Sequence, residues 1–368
     1  MKLYLVAGEA SGDARGAELM RALRERDPAF EFSGAGGREM RALAGGDFLD
    51  WADEAVVGLW DVLKKYGYFK AQFDRMLADL ARVAPSALIL IDYPGFNLRL
   101  AKAVRARHPA VKIIYYISPQ VWAWHRGRIP KMARLLDLML CIFPFEQPLY
   151  EQSALKTIFV GHPLIDSLAR KKTVVARDRK LVGLFPGSRA KEVAKIFPVM
   201  LAAARRLLEA DSTLRFEAAA ASPQLEKMMR SIAGGDFLIA FTLRDSHGLM
   251  QRAGAGMVAS GTATLESAYF GMPLVILYKV AWLTWAVGKR LVRVPFLGMP
   301  NILAEREIAR EFLQDAAQPQ AIAEEMLRLL NDENARATIQ RDLAGVIEKL
   351  GGGGAAARAA EAICSALP

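Results

Sequence analysis

Six short segments of this sequence bring together glycine, hydroxyl, carboxyl and guanidinium groups at spacings that suit a phosphorylated, hydroxyl-rich ligand. In Gly8-Glu9-Ala10-Ser11-Gly12-Asp13, small residues stand where a chain turns into a helix and backbone amides can meet a ligand. Gly8, Glu9, Ser11 and Gly12 are the contact candidates there. Ser11 or Asp13 serves equally well as a helix N-cap. The pattern is not G-x-G-x-x-G and does not support dinucleotide binding. In Asp92-Tyr93-Pro94-Gly95-Phe96-Asn97, a carboxyl follows an apolar run directly. Asp92 is a candidate general base that takes a proton from an attacking hydroxyl, or else a side chain that organises the Pro-Gly turn. Ser118-Pro119-Gln120-Val121-Trp122-Ala123-Trp124-His125 sets two indoles in one loop, to line a ring-shaped or acyl ligand or to pin the loop. Packing is the better reading for Trp122; Trp124 stays open.

The other three segments lie in the second half. Phe185-Pro186-Gly187-Ser188-Arg189 is a turn that opens a helix. Free amides near Gly187 and Ser188 suit phosphate, and Arg189 adds a charge-assisted contact. An Arg in a first helical turn is poorly placed for the helix dipole, which favours a ligand role. Ser260-Gly261-Thr262-Ala263-Thr264-Leu265-Glu266 is a second turn of the same kind. Thr262 and Thr264 suit a diphosphate, and Glu266 suits a ribose diol or merely complements the helix dipole. Two phosphate-type turns in one half are more specific than either alone. In Leu297-Gly298-Met299-Pro300-Asn301, Asn301 donates to phosphate or sugar, or caps the next helix.

Positioning these groups requires short buried strands, each ending at one of the segments. Leu3–Ala7, Phe30–Ser33, Ala87–Ile91, Lys112–Ile117, Leu138–Ile142 and Thr157–Val160 read as strands in the first half. Leu181–Leu184, Phe216–Ala220, Leu238–Phe241, Gly256–Ala259 and Leu274–Leu277 read so in the second. Continuous apolar runs alternating with amphipathic helices argue for parallel, doubly wound sheets. Ligands of such sheets bind beyond the carboxyl ends of the strands. The expected architecture is α/β: two Rossmann-like domains at 1–165 and 181–345, joined by a basic linker at 166–180 and facing a central cleft. A C-terminal helix at 346–368 follows, packing back on the first domain or on a partner chain. A chain of 368 residues suits two such domains.

Composition narrows the partners. The formal net charge is +10, which favours anionic ligands or an anionic membrane surface. No nucleic-acid signature accompanies it. Mean hydropathy is +0.15, yet no run reaches the roughly 18 apolar residues of a membrane span. The N-terminal apolar core is short and is followed at once by Glu9 and Asp13. It reads as a first strand rather than a signal peptide, and a cytoplasmic protein is therefore expected. Two cysteines and four scattered histidines give neither a disulfide framework nor metal-ligand spacing.

The segments AGEASGD, IDYPGFN, SPQVWAW, FVGHPLID, FPGSR, SGTATLE and PNILAERE, with QDAAQPQ after them, resemble in order and spacing those of the lipid-A-disaccharide synthases, glycosyltransferases of GT-B architecture. The resemblance runs from residue 7 to about residue 320. It implies an inverting transfer in which UDP-2,3-diacylglucosamine is the donor and 2,3-diacylglucosamine 1-phosphate the acceptor. The products are a β-1,6-linked disaccharide 1-phosphate and UDP, in lipid A biosynthesis of Gram-negative bacteria. Asp92 matches the family's proposed base, and Arg189, Glu266 and Asn301 match donor-site positions. UDP is the leaving group; no cofactor and no metal are expected. The family is peripheral on the inner face of the cytoplasmic membrane. Val57, Leu59, Trp60, Leu63, Tyr66 and Phe69, beside Lys64 and Lys65, fit insertion at an anionic surface, against packing as an amphipathic core helix. Trp282, Trp285, Arg290 and Arg293 form a second candidate surface. A homodimer is left open. The rival readings are a UDP-sugar 2-epimerase, built from two similar lobes, and a non-catalytic lipid carrier, for which two phosphate-type turns would be superfluous.

Overall fold

A computed structural model of the chain describes residues 1–45, 48–51, 66–235, 239–280 and 294–367. It divides into two compact units: Met1–Pro163 with Leu350–Pro368, and Leu164–Lys349.

The first unit holds a seven-stranded sheet in the order β3-β2-β1-β4-β5-β6-β7. The strands are β1 Lys2–Ala7, β2 Glu31–Gly36, β3 Phe48–Asp50, β4 Ala87–Ile91, β5 Lys112–Tyr116, β6 Leu138–Cys141 and β7 Thr157–Phe159, and all pairings are parallel. Such a sheet is covered on both faces, so its strands are apolar throughout; β4 is ALILI, buried at every position. The two-residue period of a strand divides those side chains between the faces. Leu3, Leu5, Ile89, Ile91 and Ile114 pack toward helices Ala10–Arg26 and Ala355–Ala366. Tyr4, Val6, Leu88, Leu90 and Tyr115 pack toward Tyr66–Val83 and Pro94–Arg107.

The second unit repeats the plan with six strands in the order β10-β9-β8-β11-β12-β13. They are β8 Asp178–Phe185, β9 Arg215–Ala220, β10 Ala240–Leu243, β11 Ala253–Ala259, β12 Leu274–Tyr278 and β13 Glu311–Leu313, again all parallel. The strand order in each unit reverses between two central neighbours, β1 and β4 in one and β8 and β11 in the other. Crevices open at such switch points, and the turns after these four strands contain four of the six sequence segments.

The linker and two short strands differ from the sequence reading. The basic stretch 166–180 is not a bare linker: Leu164–Ala169 is a helix of the second unit, and β8 already starts at Asp178. Its apolar residues Leu164, Ile165 and Leu168 are buried, a pattern obscured in the sequence by the surrounding charges. Strands β3 and β13 are three-residue pieces too short to give a periodic signal. The terminal helix packs on the first helix of the first unit: Ala359, Ala360 and Ile363 join that core, and Arg358 Nε donates to the Val160 carbonyl at 2.9 Å. Truncating the fully buried Ile363 to Ala would cost about 2–5 kcal/mol.

Candidate functional site

The turn after β4 is unusual in its backbone. Asp92 and Tyr93 both lie in the left-handed region, at φ 47° and 49°. Non-glycine residues held there store about 1–3 kcal/mol each, so the surroundings must fix them. Asp92 N donates to the Tyr116 carbonyl at 3.0 Å. The Asp92 carbonyl accepts from Asn97 Nδ2 at 2.7 Å and from the Tyr115 hydroxyl at 2.5 Å. Asn97 also donates to the Ile91 carbonyl at 3.1 Å and is fully buried. Pro94 then opens helix Pro94–Arg107 at a position where its missing N–H is harmless.

Four hydrogen bonds thus hold the turn without using the Asp92 carboxyl. Burial pushes its pKa above the ordinary carboxylate value, the Tyr93 amide opposes that rise, and the negative charge of Glu9 adds to it. Gly8 makes the arrangement possible: a Cβ there would run into the Tyr93 ring. Gly8 and Glu9 therefore stand beside Asp92, as neighbouring strands β1 and β4 require. Gly12 is buried, with Ala7 and Ile91 within van der Waals reach of any added Cβ. Ser11 is exposed. Neither Ser11 nor Asp13 caps its own helix, which begins at Ala10 after Glu9. Asp13 instead accepts from the amides of Gly37, Glu39 and Met40 at 2.8–3.1 Å, closing the start of helix Arg38–Ala44.

The next turn along the sheet, after β5, is held from below. Glu146 is fully buried and accepts from Ser118 Oγ at 2.6 Å, Trp122 Nε1 at 2.9 Å and Phe143 N at 3.1 Å. Burial raises its pKa to about 7 against the pull of those three donors. Trp122 is buried in this network and edge-on to Phe143 and Phe145, so it packs, as the sequence suggested. No sequence signal marked Glu146, because its role depends on residues 24 and 28 positions away.

In the second unit, a cavity of about 510 Å³ lies at the switch point, lined by Gly187, Ser188, Arg189, Gly261, Thr262 and Glu266 among others. Gly187 sits at φ 106°, and a Cβ there would meet the Glu192 carboxylate. Arg189 is the N-cap of helix Ala190–Ala210 and Gly261 that of Thr262–Tyr269; neither helix start has a side-chain cap. Their first amides are thus the unfilled donors that make helix N-termini anion sites. The Arg189 guanidinium is largely exposed and only 3.3 Å from Glu192. Glu266 lines the same cavity with His247 Nε2 3.4 Å from its Oε1. Arg244, at φ 58°, and Ser246 complete the wall. Sequence reasoning missed both, although they follow β10 at its carboxyl end, as Gly187–Arg189 follow β8 and Ser260–Thr262 follow β11.

Two expected contacts are committed elsewhere. Asn301 is fully buried; it donates to the Ala309 carbonyl and Glu311 Oε1 and accepts from the amides of Ile308 and Ala309, all at 2.7–3.0 Å. With both amide hydrogens used, it shapes the 301–311 turn and reaches no open surface. Thr264 is also fully buried, its hydroxyl donating to the Gly261 carbonyl at 2.8 Å. That bond steadies the turn whose amides face the cavity.

Of the membrane-contact candidates, Val57, Leu59, Trp60 and Leu63 lie outside the described residues, as does the side chain of Tyr66 and the second candidate surface at 282–293. Phe69 is half-buried, edge-on to Trp51 with centroids 6.3 Å apart. Among the described residues, no helix is long and apolar enough to cross a membrane, and no group of three or more His, Cys, Asp and Glu could hold a metal ion.

Residues 3–364 match the family model described as lipid-A-disaccharide synthetase. The chain is 44% identical over 373 residues to a lipid-A-disaccharide synthase of Trichlorobacter lovleyi, covering 99% of this chain and 97% of that protein. Among solved structures it resembles the UDP-GlcNAc 2-epimerase of Neisseria meningitidis bound to UDP-GlcNAc, with TM-score 0.64 and 12% identity over 99% of this chain and 100% of that one. The glycosyltransferase of kitacinnamycin gives TM-score 0.63 and 15% identity over 100% and 99%. At these identities the two structures share the fold alone, two Rossmann-like units of GT-B type.

Proposed function

The chain belongs to the lipid-A-disaccharide synthase family, and from that premise we propose that it joins UDP-2,3-diacylglucosamine to 2,3-diacylglucosamine 1-phosphate with inversion. The products are the β-1,6-linked disaccharide 1-phosphate and UDP. Asp92 carries the reading. Its strained turn holds a desolvated carboxyl whose pKa is raised toward the working pH, as a general base requires. Ionised Asp92 takes the proton of the acceptor 6-hydroxyl. That oxygen bonds to the anomeric carbon as the bond from carbon to the UDP oxygen breaks, and a single displacement inverts the centre.

Negative charge grows on the departing diphosphate. The free amides at Ala190 and Thr262 answer it as preorganised groups, and the exposed Arg189 guanidinium turns from Glu192 to join them. Glu266 accepts from the ribose hydroxyls. Asn301 and Thr264 act through the turns they hold. The chemistry as written uses no metal ion. Because both substrates carry acyl chains, the enzyme works at the inner face of the cytoplasmic membrane, drawn there by its basic net charge.

Incubation with the UDP-diacylglucosamine donor, with and without the monosaccharide phosphate, tests this. UDP release that requires the acceptor and persists in EDTA is expected. Epimerised donor, or no turnover, would replace the transferase by an isomerase or a carrier.

A further inference from the structure

A second cavity, of about 360 Å³, opens in the first unit beside the Asp92 turn. Its volume falls within the ~300–1,000 Å³ typical of small-ligand pockets. Phe69, Phe73, Tyr93 and Phe96 line it, with Lys70 and Arg99 at its edge. The rings are fixed from behind. Trp51 is buried, donates Nε1 to the Ala7 carbonyl at 2.7 Å, and meets Phe96, Tyr93 and Phe69 at centroid distances of 4.6, 6.0 and 6.3 Å. Phe73 stands edge-on to Phe96 at 5.6 Å. This aromatic wall is therefore preformed, with its inner side packed into the core and its outer side facing the cavity.

The two cations have no ion-pair partner among the described residues, and both are exposed. An apolar cavity with a cationic edge complements an amphiphile: one alkyl chain inside, an anionic head outside. Tyr93 and Phe96 belong to the same turn and helix as Asp92, so a chain seated here lies beside the base. We propose that this cavity takes one acyl chain of the phosphorylated lipid acceptor, with Lys70 and Arg99 facing its phosphate. The assignment rests on the functional reading above for the identity of the lipid, and on the cavity itself for the chain.

Calorimetric titration with butyl, octyl and dodecyl phosphate, each below its micellar concentration, tests the chain. Each buried methylene should tighten binding about three- to fourfold. Phe73→Trp should weaken dodecyl phosphate at least tenfold, with the Kd for UDP unchanged within twofold. Phe73→Leu, a smaller apolar change that spares the fold, should favour longer chains. Lys70→Ala with Arg99→Ala should weaken binding five- to tenfold. Dodecyl phosphate should also inhibit turnover competitively against the acceptor and not against the donor. Affinity independent of chain length, or unchanged in both Phe73 variants, overturns the cavity assignment. Competition against the donor overturns the acceptor assignment. If the wild type turns over no lipid but still binds dodecyl phosphate by chain length, the functional reading fails and the cavity stands.

Discussion

The turn after β4 and the two turns after β8 and β11 occupy equivalent places in two parallel sheets, yet they are built in opposite ways. The first closes its backbone groups: two left-handed residues, an Asn97 side chain and a Tyr115 hydroxyl use the polar atoms around Asp92. The second pair leaves its amides open, with no side-chain cap at either helix start and a charged Arg189 in solvent. The difference follows from what each must handle. A base has to be desolvated enough to hold a proton, which is helped when the donors around it are mostly occupied elsewhere. An anion has to be met by donors that are still free. On the proposed mechanism, the same fold position would serve proton transfer in one unit and charge stabilisation in the other.

Substitutions that exchange these properties should have unequal effects. Asp92→Asn keeps the shape of the turn and removes the base; kcat should fall about 10²–10⁴-fold, with UDP affinity unchanged within twofold. Near-normal kcat would reduce Asp92 to a turn residue. Arg189→Ala removes one charged contact of about 1.5–3 kcal/mol, so kcat/KM should fall roughly ten- to a hundredfold and UDP binding with it. A loss in kcat alone, with UDP bound normally, would show that Arg189 acts only on the transition state. Glu9→Gln should act through the base. Activity requires ionised Asp92, so it is lost as pH falls through a pKa that burial and Glu9 both raise. Removing the Glu9 charge should move the acid limb of the kcat/KM profile to lower pH. A limb that stays in place would mean that desolvation alone sets it.

The contrast was only half legible in the sequence. Buried apolar runs such as ALILI and KIIYY, each ending at a polar segment, identified the strands and where ligands meet them. The grouping of Gly187, Arg189 and Thr262 around one cavity was readable because glycine turns at strand ends and a nearby cation are local properties. Asn301 and Thr264 looked equally available and are not, since their partners lie in the folded turns: Ala309 and Glu311 for one, Gly261 for the other. Arg244 was missed because the strand before it reads as Leu238–Phe241 in the sequence and runs instead from Ala240 to Leu243, which moves the turn after it by two residues. The helix at Leu164–Ala169 was hidden by the charged stretch that follows it. What escaped for Asn301 and Thr264 was a tertiary partner, not a residue type.

Glu146 sharpens the comparison from within the first unit, since it is a second buried carboxyl with a different use. The proposed mechanism leaves the Asp92 carboxyl to a ligand, whereas Glu146 has three protein donors and holds the turn after β5. Its effect should therefore appear in stability more than in turnover. The folded pKa is about 7, raised from an ordinary value of 4.5. Below 4.5 both folded and unfolded chains carry the proton, and the group contributes no pH dependence. As pH rises from 4.5 to 7, the unfolded chain releases the proton while the folded chain keeps it, so stability falls. The total loss is roughly 3 kcal/mol at most, and it levels off above pH 7. Glu146→Gln cannot ionise and should lack this slope. It should also be destabilised at all pH values by about 1–3 kcal/mol, because its new NH₂ faces Trp122 Nε1–H or Phe143 N–H. Urea unfolding from pH 5 to 8 should show the wild-type advantage over Glu146→Gln shrinking by pH 7. Parallel curves would mean that Glu146 is already ionised in the folded chain, held so by its three donors, and that burial does not decide its charge.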